Sequence, residues 1–116
     1  MDTDTILHKE LSYKVIGFAM QVHKELGFGF LEKVYENALM LLLREEAIPA
    51  VQQAMIAVLF RGTVVGEYVV DILVNDQIVL ELKSVDAIKG AHRAQALNYL
   101  RATGKRLAII LNFGKE

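Results

Sequence analysis

Apolar residues at Leu11, Val15, Phe18, Ala19 and Val22 recur with the spacing of one helical face, and Thr5 can cap a helix that carries them. That helix should end near Leu26-Gly27, with Gly27-Phe28-Gly29 as a tight connection. Leu31, Val34, Tyr35, Ala38, Leu39 and Leu42 repeat the pattern and predict a second helix from about Phe30 to Glu45. Pro49, which can neither donate a helical hydrogen bond nor fit the preceding turn, stops any continuation. Residues 51–60 then read as a first strand, and Arg61-Gly62-Thr63 turns the chain into a second, Tyr68 to Val74, which pairs with a third, Ile78 to Lys83. Gly90 precedes a third helix from about Ala91 to Ala102, closed by Gly104. The run Leu107-Ala108-Ile109-Ile110-Leu111 is apolar enough for a last strand covered on both faces, within Lys105 to Phe113. The order ααβββαβ predicts one α/β or α+β domain, a mixed four-stranded sheet flanked by helices.

Acids interrupt this pattern where strands rarely tolerate them. Asp71 sits inside the second strand, and Glu81-Leu82-Lys83 ends the third. An unpaired buried carboxylate costs several kcal/mol. Side chains alternate faces, so Glu81 and Lys83 share a face that Leu80 and Leu82 do not. Asp71 joins them or not according to hairpin register. A two-residue Asn75-Asp76 turn sets Asp71 opposite Leu80. A three-residue Asn75-Asp76-Gln77 loop pairs Val74 with Ile78, Ile72 with Leu80 and Val70 with Leu82, leaves one face wholly apolar and collects Asp71, Glu81 and Lys83 on the other. Register follows the hydrophobic pattern when one face is buried, which favours the second arrangement. Two carboxylates on neighbouring strands, with Cβ atoms about 5 Å apart, repel one another, and a divalent cation is the usual remedy. Lys83 could hold a phosphate or help deprotonate a water. The plainer alternative is an Asp at a strand end beside a Glu–Lys surface pair.

Other polar positions carry weaker signals. Glu32 stands in the first turn of the second helix, where the helix dipole already favours an acid, with Tyr35 and Glu36 one turn on. Gln95 and Tyr99 lie four apart on the third helix, with His92 near the same face, and together offer a donor, an acceptor and a ring. His23 follows an apolar face and reads as a structural, hydrogen-bonded residue. No histidine pair has metal-ligand spacing, no glycine-rich loop follows a strand, and neither Ser12 nor Ser84 sits in a nucleophile elbow.

Composition narrows the class. With no cysteine, disulfides, thiolate catalysis and cysteine-ligated zinc are excluded. No run approaches the roughly 18–20 apolar residues of a membrane span, and Met1-Asp2-Thr3-Asp4-Thr5 is unlike a secretory signal, which predicts a cytoplasmic protein. A hydrophobic content of 53% and a mean hydropathy of +0.32 point to a well-filled core and an apolar surface suited to homodimer formation. The formal net charge of −1 hides an asymmetry, because six of the 13 basic residues but one of the 14 acids fall between 83 and 106. A basic stretch beside a metal site suits a polyanion such as nucleic acid.

Several ordered motifs also resemble one family. Gly29-Phe30-Leu31-Glu32-Lys33-Val34-Tyr35 is an instance of the pattern that names the GxxExxY proteins. Val22-His23-Lys24-Glu25-Leu26-Gly27, Asp71 with Glu81-Leu82-Lys83, Ala94-Gln95-Ala96-Leu97-Asn98-Tyr99-Leu100 and Leu111-Asn112-Phe113 resemble that family too, over nearly the full chain. The family falls within the PD-(D/E)XK nuclease-like superfamily, with a restriction-endonuclease-like core. The resemblance implies phosphodiester hydrolysis of DNA or RNA with Mg²⁺, for which Mn²⁺ is the natural substitute. It implies Asp71, Glu81, the Leu82 carbonyl and Glu32 as metal ligands, Lys83 as the residue that orients or activates water, and Gln95 and Tyr99 as the helix motif of the exonuclease-like branch. Phe28 stands where members commonly have proline, and Val70 where a basic residue is common. The rival expectation is a non-catalytic interaction module on the same fold.

Overall fold

The computed structural model describes residues 3–84, 90–91, 94–95 and 107–114. Helices α1 (Thr3–Leu26) and α2 (Glu32–Glu45) precede strands β1 (Ala50–Phe60), β2 (Thr63–Val74), β3 (Ile78–Lys83) and β4 (Leu107–Asn112). The strands lie in the order β1-β2-β3-β4. The first two pairings are antiparallel and β3–β4 is parallel, so the sheet is mixed and the fold α+β, as expected. Among the described residues no helix is long and apolar enough to cross a membrane. The predicted third helix falls mostly outside the described residues, with 90, 91, 94 and 95 helical. Tyr99 and His92 lie outside them.

The helices depart from the expected boundaries in instructive ways. The first begins at Thr3, so Thr5 lies within it and is not its cap. It ends where Gly27, at φ 75°, donates its N–H to the His23 carbonyl at 2.9 Å, a left-handed stop that glycine adopts without steric penalty. The second begins at Glu32, not Phe30, and its inward stripe is Tyr35, Glu36, Leu39, Met40 and Leu43. Leu31, expected inside, is 81% exposed, and Val34 is exposed as well. Glu36 explains the rotation. Amides from β1 satisfy its carboxylate, so the helix can turn this acid, and with it Met40 and Leu43, toward the sheet.

Tyr35 ties the interhelical connection together. Its hydroxyl donates to the Gly27 carbonyl at 2.6 Å and accepts from the Phe30 N–H at 3.2 Å. Its ring stacks on Phe113 with centroids 4.6 Å apart. His23 meets Phe113 edge-on, and its Nε2 lies 3.1 Å from the Gly114 carbonyl, which bears out its structural reading. The start of α2 is thereby anchored to the residues that follow β4.

One face of the sheet supplies Ile72, Val74, Ile78, Leu80 and Leu82 to a core completed by Val15, Ala19, Val22, Tyr35, Leu39 and Leu43. Fully burying a side chain of this size contributes about 1.5–3 kcal/mol. A smaller cluster, Ala54, Val70 and Val79, packs together separately. Strand β4 is half-buried along most of its length, with Leu111 its buried side chain, instead of covered on both faces.

The β2–β3 hairpin adopts the register that the apolar pattern favours, Ile72 with Leu80 and Val74 with Ile78. Asn75 and Asp76 both take left-handed backbone, at φ 51° and 56°, and the Gln77 N–H donates to Val74 O at 2.9 Å. Asparagine and aspartate tolerate this conformation better than other side chains do. The turn is therefore tight, while Gln77 adds the third residue that keeps Ile72 and Leu80 in step.

Candidate active site

The acids sit where two strands part. The β2–β3 ladder runs from Val74–Ile78 to Ile72–Leu80 and no further, so the expected Val70–Leu82 pair does not form. One residue on, Asp71 Oδ2 accepts the Leu82 N–H at 2.7 Å, taking a donor that a continuing ladder would have used. The Asp71 backbone N–H in turn favours the charged form of the neighbouring Glu81 carboxylate. Asp71 thus caps the end of β3, and the fork keeps the two carboxylates on the face that the register assigns them.

Glu81 is 6% exposed, and its Oε1 is buried with no hydrogen-bond partner among the described residues. Burial, and then the neighbouring Asp71 charge, push its pKa from 4.5 up to about 7. Lys83 and the Asp71 N–H pull it down, and Glu32 adds a small upward push. Desolvation of the charged form therefore outweighs the lysine. A buried carboxylate oxygen with no donor is a site where a cation would be stabilised. Lys83 is half-buried on the same strand face, and its backbone carbonyl accepts the Phe113 N–H at 2.7 Å, which fixes the end of β3 against the residue after β4.

Glu32 reaches the same end of the sheet from α2. Its Oε1 accepts the Ser84 N–H at 3.1 Å, just past Lys83. The helix has no side-chain cap at Leu31, and the acid in its first turn serves the strand end instead. The Asp71 charge acts strongly on Glu81, and the Glu32 charge acts on it more weakly. Among the described residues no group of three or more Asp, Glu or His side chains is gathered as a metal ion requires. The donor set fits a hard, oxygen-loving cation in chemistry, with Asp71 and Glu81 as its nucleus. Gln95 is exposed on a helical segment, and Tyr99 falls outside the described residues.

In the sequence Glu36 stands out only as a neighbour of Glu32. It is 4% exposed and binds Lys33, Gln52 and Gln53. Two consecutive amides in an otherwise apolar strand were the available signal.

A mixed sheet with helices on its core face, split at an acid-bearing fork, defines a restriction-endonuclease-like α+β fold. A family model for the PD-(D/E)XK nuclease superfamily matches residues 9–116, and the chain belongs to that superfamily. No curated protein and no solved structure matches the chain.

Proposed function

We propose that this chain is a metal-dependent nuclease of the GxxExxY group that hydrolyses phosphodiester bonds in DNA or RNA. Superfamily membership makes nucleic acid the natural substrate. The observation that carries the reading is the buried Oε1 of Glu81, beside Asp71 and with no hydrogen-bond partner among the described residues. A carboxylate so placed is costly in a merely structural fork and useful beside a cation.

Asp71, Glu81 and the Leu82 carbonyl would hold Mg²⁺, or Mn²⁺ in its place, with Glu32 joining directly or through water. When bound, such an ion polarises the phosphate and lowers the pKa of a coordinated water. Glu81 binds in its ionised form and so gives up the proton that burial makes it retain up to about pH 7. Lys83, one β-strand repeat beyond Glu81, orients the attacking water and balances the acids' charge. Gln95 and Tyr99 would steady the substrate or Lys83 from the third helix.

The test is divalent-metal titration with oligonucleotide substrates, comparing wild type with Asp71→Ala and Lys83→Ala. Loss of metal binding in the first, and of cleavage in both, supports the reading. Variants that match wild type in both sink it. The absence of a three-acid group among the described residues favours one alternative, a nuclease fold that binds nucleic acid or protein without cleaving. That reading expects oligonucleotide binding indifferent to Mg²⁺.

A further inference from the structure

Glu36 is a buried charge with an unusual set of partners. Its Oε2 accepts from Lys33 Nζ at 3.0 Å and from Gln52 Nε2 at 2.6 Å, and its Oε1 accepts from Gln53 Nε2 at 2.8 Å. Successive strand residues point to opposite faces, so Gln52 and Gln53 should not reach one carboxylate. They do because Gln53 has φ 50°, a left-handed backbone that a residue with a side chain adopts only when its surroundings compensate.

This kink lies beside Asp71. The β1–β2 register pairs Gln52 with Ile72 and Ala54 with Val70, which leaves Gln53 in the row of Asp71. The sheet changes character there. Ile72 belongs to the core under α1 and α2, whereas Val70, two residues away, packs with Ala54 and Val79 instead. Both ladders that flank Asp71 are therefore disturbed in one row, by Gln53 on one side and by the fork on the other. Helix α2 carries Glu32 one turn before Glu36, so one helix reaches the fork through Glu32 and the kink through Glu36.

We infer that Glu36 is a positioning residue for the acidic site. By gripping both amides it holds the kink opposite Asp71, and with it the strand geometry that lets Asp71 leave the ladder and accept the Leu82 N–H. The inference rests on the nuclease reading for its functional meaning, but its geometric part can be tested without metal or turnover.

The experiment compares wild type, Glu36→Gln and the double variant Glu36→Gln/Gln53→Gly, all below their melting temperatures. Glutamine offers one acceptor where three donors converge, and glycine takes left-handed backbone without a grip. The first readout is amide hydrogen exchange of Leu82 relative to Val79 by NMR. Glu36→Gln should raise this ratio at least tenfold, and glycine at 53 should restore most of it. The second is Mn²⁺ affinity together with kcat and KM on an oligonucleotide. Mn²⁺ affinity and kcat should each fall at least tenfold with KM nearly unchanged, and recover in the double variant. An unchanged exchange ratio in folded Glu36→Gln overturns the inference, as does a defect that glycine makes worse. Should wild type bind no Mn²⁺, the nuclease reading fails, and the exchange ratio alone decides whether Glu36 sets the fork.

Discussion

Replacing Glu81 by glutamine removes a charge that the fold resists and keeps the shape of the side chain. The wild-type carboxyl ionises at about 7, against 4.5 for an ordinary glutamate. At about 1.4 kcal/mol per pH unit, charging it in the folded protein costs on the order of 3 kcal/mol, a ceiling that water entering the fork would lower. The sign follows from linkage. Below pH 4.5 the group is protonated in both folded and unfolded chains, and the wild type has its full stability. Between 4.5 and 7 the unfolded chain ionises while the folded one holds its proton, so stability falls across that window and levels off above it. Glu81→Gln should lose this fall. In EDTA at pH 8 the variant should melt higher than wild type by about 4 °C for each kcal/mol recovered, and at pH 4.5 the two should coincide. Thermal denaturation followed by circular dichroism from pH 4 to 8 measures this directly. Adding Mg²⁺ at pH 8 should raise the wild-type midpoint and leave the variant unmoved. Parallel pH profiles for the two proteins would refute both the burial argument and the assignment of the orphan oxygen.

Other expectations follow from individual contacts. Tyr35→Phe deletes a hydroxyl that both donates to Gly27 and accepts from Phe30, and denaturant unfolding should register a loss of about 1–3 kcal/mol. Leu39→Ala, at a fully buried core position, should cost about 2–5 kcal/mol in the same assay. Asp71→Asn can still accept the Leu82 N–H, so it should fold with a near-native melting temperature while metal binding and cleavage disappear. Lys83→Ala should keep Mg²⁺ affinity within a few-fold yet slow cleavage by about 10²–10⁴, read in single-turnover assays. If two copies act as a cleaving pair, light scattering at working concentrations should report a dimer, and a monomer at high concentration would count against that arrangement.

Much of this arrangement was legible in the residues because burial pattern and chemistry agreed. The alternation of Ile72, Val74, Ile78, Leu80 and Leu82 fixed the hairpin register, and that register brought Asp71 beside Glu81. What the pattern missed came from polar groups that satisfy each other across the chain. Glu36 looked like a surface residue of α2 because helical periodicity counts acids as outward. Only the pairing with Gln52 and Gln53, distant in sequence, lets it turn inward and carry Leu31 out. The left-handed backbone of Gln53 has no local signature, since glutamine does not favour it and tertiary contacts impose it. Glu32 was expected among the ligands on its position in the motif. Its bond to the Ser84 N–H depends on where β3 ends relative to α2, which no spacing rule specifies.

In the proposed site Glu81 Oε1 faces a cation shared with Asp71. Anomalous diffraction from crystals grown with Mn²⁺ tests it most directly. One strong peak bonded to carboxylate oxygens of both Asp71 and Glu81 is expected. A Glu81 Oε1 hydrogen-bonded to Lys83, with no peak at the fork, would contradict it.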